Sequence, residues 1–135
     1  MCYAVYLGSK YKQQTSGFVS GETYLFLADI DAEEEEGLRP KFTKQNIYYA
    51  GSFEKCSCGF GYWPEDDEGY DEQDKIARLT SIGALLSLLG ALTREEDVEF
   101  YCCWMGDWPN PVKEYLQIDI RQSDCRNKLF WLTRK

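Results

Sequence analysis

The chain has 135 residues, enough for one domain with a sizeable core and no requirement for disulfides or a metal. Its 23 Asp and Glu against 15 Lys and Arg give a formal charge of −8, which disfavours nonspecific nucleic-acid binding. It has no histidine, which excludes Ser-His-Asp triads, Cys-His dyads, HExxH sites and any imidazole proton shuttle.

The first strand is marked by alternation in CYAVYL, residues 2–7. A polar turn, SKYKQQTSG, follows. ETYLFLADI, residues 22–30, predicts a second strand with Tyr24, Phe26, Ala28 and Ile30 on one face. The first acidic run, DIDAEEEE at 29–36, reads as a solvated loop, because four consecutive glutamates repel one another. FTKQNIYYAGSF, residues 42–53, predicts a third strand. A second acidic run, EDDEGYDEQD, occupies 65–74. Thirteen of the 23 acids lie in these two runs, leaving ten acids against 15 basic residues in the body, so the acidity is local.

Asp71 then reads as the N-cap of a long helix, with Glu72 and Asp74 favourable near the positive end of its dipole. Ile76, Leu79, Ile82 or Gly83, Leu86 and Leu89 follow helical spacing and predict its apolar face. Gly90 would close the helix, or Gly83 would admit a close neighbour. The apolar stretch at 79–92 is shorter than the ~20 residues a membrane span requires, so a buried helix is expected and no membrane partner. VEFYCCWM, KEYLQIDIRQ and KLFWLT predict three more strands. The fold expected is a single α+β domain over 1–135: a mostly antiparallel sheet of five to six strands with one long helix packed on one face.

One signature occurs twice. Cys58, Gly61, Trp63 and Pro64 spell C-x-x-G-x-W-P, as do Cys103, Gly106, Trp108 and Pro109. In each the glycine permits a tight turn and the proline restricts the tryptophan before it. Two readings follow: similar loop ends capping the sheet, or two aromatic loops walling a cleft. The cleft would be lined by Cys58, Gly59, Gly61, Tyr62 and Trp63 on one side. Cys103, Trp104, Gly106, Asp107 and Trp108 would line the other.

Six cysteines without a secretory leader pattern predict reduced thiols and a cytoplasmic protein. A zinc site would have to start from Cys56 and Cys58 and take two more thiolates. Their one-residue spacing, and the adjacency of Cys102 and Cys103, do not match paired zinc knuckles, so no cofactor is expected. C-x-C is also shorter than the C-x-x-C of thiol oxidoreductases. Met1-Cys2 would suit an N-terminal nucleophile, but a glycine-rich continuation is missing, and Cys2 reads as a strand residue.

The expected function is a small non-catalytic intracellular binding protein of inhibitor, immunity or adaptor type. Its partner would be a protein, basic in character, recognised through Trp and Tyr in loops and through carboxylates that include Glu65, Asp66, Asp67 and Glu68. A small-molecule or nucleotide-type ligand between the paired loops is the second reading. A thiolate zinc site or cysteine-based enzyme is the third.

Overall fold

Tyr3–Ser9 forms β1, and all seven of its residues are buried. Val5 and Leu7 face one side while Ala4 and Tyr6 face the other, as the two-residue repeat of a strand requires. This computed structural model describes residues 3–60 and 71–112. β2 (Leu25–Asp29), β3 (Asn46–Ser52) and β4 (Glu99–Trp104) join β1 in an antiparallel sheet ordered β2-β3-β1-β4. Val5 stands between Ala50 of β3 and Cys102 of β4. The protein is therefore α+β, with an antiparallel sheet and one long helix. Among the described residues the sheet has four strands, fewer than the five to six expected. The two further strands expected at 113–122 and 128–133 lie outside the described residues.

The long helix, α2 (Glu72–Leu92), begins where the sequence places it. Asp71 is the N-cap, and its Oδ1 accepts the Asp74 N–H at 2.7 Å. Its buried face differs from expectation. Ile82, Leu85 and Leu89 are buried, whereas Ile76 is 57% and Leu79 37% exposed. Polar anchors set the rotation. Arg78 donates to the Cys58 carbonyl at 3.1 Å and to the Glu54 carboxylate at 3.2 Å. Ser81 Oγ accepts the Phe53 N–H at 3.2 Å. These contacts turn 78, 81, 82, 85 and 89 toward the sheet, a face one residue removed from the purely apolar stripe. Leu85 and Leu89 pack with Val5, Leu7, Leu27, Tyr48, Ala50 and Phe60. Each buried leucine contributes about 1.5–3 kcal/mol of gross stabilisation. By length and composition α2 could also cross a membrane, but it lies here across a sheet face. Gly90 does not end it. The C-cap is Thr93, and among the described residues nothing outside the helix's own backbone comes within 4 Å of a β-carbon placed at Gly83 or Gly90.

The first acidic run is not a loop. Ala32–Leu38 is a helix, α1, on the opposite sheet face. The reciprocal capping box of Asp31 and Glu34 overcomes the repulsion: Asp31 Oδ1 accepts the Glu34 N–H at 2.8 Å, and Glu34 accepts the Asp31 N–H at 3.2 Å. Carboxylates in a first turn are also favoured by the helix dipole. Leu38, fully buried, anchors α1 in a second core with Ala4, Tyr6, Phe42, Ile47, Cys103 and Trp108. Both faces of the sheet are thus covered, which explains why β1 is apolar on both sides.

Candidate functional site

β3 and β4 both leave the sheet beside the start of β1, since Ala50 pairs with Val5 and Trp104 with Tyr3. The two stretches carrying the repeated signature therefore start at one end of the sheet, on either side of β1. Of the first, Cys56, Cys58 and Gly59 are described. Gly61, Tyr62, Trp63, Glu65, Asp66, Asp67 and Glu68 lie outside the described residues.

Serines build the first stretch. Ser52 Oγ donates to the Cys56 carbonyl at 2.6 Å and accepts the Gly59 N–H at 3.0 Å. Ser57 Oγ donates to the Ala50 carbonyl at 2.6 Å and accepts the Val5 N–H at 2.9 Å. These bonds pin the 3-10 turn Ser57–Phe60 against β1 and β3. Cys58 Sγ accepts the Tyr3 N–H at 3.3 Å. Gly59 is required because a side chain there would lie 2.2 Å from Ser52 Oγ. The turn reverses at Lys55, whose φ of 69° lies in the left-handed region.

The second stretch divides between surface and core. Trp104 is 39% exposed and stacks edge-to-face on Tyr3, with ring centroids 4.6 Å apart. Gly106, at φ 96°, makes the turn. Asp107 donates its N–H to the Trp104 carbonyl at 3.0 Å and accepts the Asn110 N–H at 3.0 Å through its own carbonyl. Trp108 is buried: its Nε1–H donates to the Tyr6 hydroxyl at 2.6 Å, and that hydroxyl donates to Glu34 at 2.6 Å. Trp108 therefore binds the loop to α1 rather than walling a cleft. Gly37 of α1 completes the joint, because a β-carbon there would stand 2.6 Å from Trp108 Cβ and 3.1 Å from Pro109 N. Lys41 bridges the same place by donating to the Gly37 and Trp108 carbonyls.

This joint brings the first acidic run beside the second signature loop. Of the four glutamates in α1, Glu34 is bound to Tyr6 and Glu35 is paired with Arg39 at 2.6 Å. Glu33 and Glu36 are exposed, as is Asp29 at the end of β2. None of these three has an ion pair among the described residues. Sequence reasoning missed this division of the glutamates. The signal was present as Asp31 followed three residues later by Glu34.

The two thiols of β4 are set against nucleophilic chemistry. Burial, then the Asp107 charge, pushes the Cys103 thiol up to about 12. Burial, then neighbouring Cys103, raises Cys102 well above the ordinary thiol range. A nucleophilic or metal-binding thiolate requires the opposite shift. Among the described residues, no three Cys, Asp or Glu side chains converge as metal ligands.

No family model, curated protein or solved structure matches this chain.

Proposed function

We propose that this chain is a small non-catalytic binding protein of the cytoplasm that recognises a basic partner protein. The recognising surface combines the outer carboxylates Asp29, Glu33 and Glu36 with the loop after β4 that seats against α1, in which Met105 is exposed. The observation that carries this reading is the seating of Trp108 and Pro109 on Gly37. It fixes the loop after β4 against the acidic helix, so that the outer carboxylates stand on a rigid joint. A partner's Lys and Arg would be steered by the carboxylates, and the exposed Met105 of the seated loop would supply an apolar contact. Fixed carboxylates suit this role better than a mobile run, because less side-chain and backbone freedom is lost on binding.

The test compares two variants of equal charge. Asp29→Asn/Glu33→Gln/Glu36→Gln removes three charges from the proposed face. Glu22→Gln/Glu95→Gln/Asp97→Asn removes three exposed charges elsewhere. The wild-type chain and the second variant should retain a basic, salt-eluted partner from a matched extract, and the first variant should lose it. Equal retention by both variants would contradict the assignment of the face.

A further inference from the structure

The segment before β2, the first two turns of α2 and the residue after β3 border an open cleft of about 530 Å³. We propose that it is a site for a small organic cation with an apolar body, of the arylalkylamine class. This site is separate from the protein-binding face and does not depend on it.

The volume falls within the range of small-ligand sites. Tyr24, Phe53, Ile76 and Ala77 give it an apolar lining. Ile76 is 57% exposed although the helix has a sheet to pack on, so its side chain is left open to this space. The Tyr24 hydroxyl makes no hydrogen bond among the described residues, which leaves a polar tip for a ligand.

The sign of the ligand charge follows from the lining. Among the described lining residues only Asp71 and Asp74 are charged, and both are acidic. One Asp74 oxygen is engaged by Arg78 at 3.0 Å, and Asp71 Oδ1 accepts the Asp74 N–H. The positive end of the α2 dipole, equivalent to about half a charge, does not cancel two carboxylates. An anion is repelled and an ammonium attracted. Aromatic rings in the lining suit the same sign, since the face of an aromatic ring attracts cations. The Arg78 guanidinium already occupies the Phe53 ring, 5.8 Å from its centroid, which leaves the Tyr24 ring for the ligand's ammonium.

The experiment titrates the full chain with phenethylamine, 2-phenylethanol and 3-phenylpropanoate, followed by two-dimensional NMR. Phenethylamine should bind saturably and most tightly, the alcohol less so and the acid least. Asp71→Asn keeps a side chain that caps helices well, so α2 is retained while a charge is lost. It should weaken the amine about fivefold and leave the alcohol unchanged. Gln73→Trp, at an exposed lining position, should fill the mouth and abolish binding of the amine while circular dichroism stays unchanged. No saturable amine binding, acid binding as tight as amine binding, or an amine affinity unmoved by both substitutions would overturn the proposal.

Discussion

The indole N–H of Trp108 meets the hydroxyl of Tyr6 at 2.6 Å, across a sequence separation of 102 residues. The same hydroxyl donates onward to Glu34, so one tyrosine in β1 fixes both the loop after β4 and the helix α1. Burial, reinforced by the Glu34 carboxylate, raises the Tyr6 phenol far above its ordinary value, so the hydroxyl stays a donor at every ordinary pH. Tyr6→Phe removes the acceptor of a buried indole N–H and should cost about 1–3 kcal/mol in urea unfolding. Tyr6→Phe and Trp108→Phe should be non-additive by about 0.5 kcal/mol or more, because they break one network. Additive losses would show that the two groups do not act together.

Gly37 is the second half of that joint. Gly37→Ala places a methyl group 2.6 Å from Trp108 Cβ and 2.9 Å from its backbone carbonyl carbon, neither of which is a flexible side-chain tip. Overpacking of this kind costs about 1–3 kcal/mol, which outweighs the gain from alanine's better helix propensity of about 1 kcal/mol. The expected result is a lower urea midpoint and an altered near-ultraviolet tryptophan signal. An unchanged or higher midpoint would show that α1 is not seated on the loop.

Lys55 holds a left-handed conformation that costs a residue with a β-carbon about 1–2 kcal/mol. It closes the turn in which its own N–H donates to the Ser52 carbonyl at 3.1 Å. Lys55→Gly should therefore stabilise the chain, by about 1 kcal/mol, where most substitutions to glycine destabilise. Differential unfolding of the two proteins measures this directly.

Alkaline pH should weaken the fold. Cys103 is pushed up to about 12, mainly by burial, and burial raises Cys102, Tyr3, Tyr6 and Tyr49 as well. Each of these groups is neutral when protonated, so the folded state holds its proton more tightly than the unfolded chain does. The resulting stability is fully present below the ordinary thiol value of 9.0 and is lost as pH rises through the folded value of about 12. The urea midpoint should fall progressively above pH 9, and Cys103→Ala should make that fall shallower. A midpoint that rises over this interval would contradict the burial of these groups.

Much of the fold was legible because its local signals agree. β1, β3 and β4 alternate or run apolar as strands do, and Asp71 stands before α2 with acids behind it. The rotation of α2 was not legible, because its packed face includes Arg78 and Ser81. A search for apolar periodicity gives such residues to solvent. They are inward here because the turn after β3 presents a carbonyl, a carboxylate and an N–H that need partners. The acidic run misled for a related reason. Four adjacent glutamates read as mutual repulsion until Tyr6 and Arg39, at distant and near positions, take two of them. The paired signature was visible in the sequence, but its second tryptophan turned out to bind α1. Only a tertiary hydrogen bond to Tyr6 distinguishes that role from a cleft wall.

The most direct test of the proposed surface is the association rate of the purified basic partner as a function of ionic strength. For the wild-type chain the rate should fall steeply with salt. Neutralising Asp29, Glu33 and Glu36 should reduce it about tenfold at low salt and flatten the dependence. The Glu22, Glu95 and Asp97 control should behave as wild type. Identical rates and salt slopes for the two triple variants would mean that overall charge, and not the face built on α1 and the loop seated against it, draws the partner in.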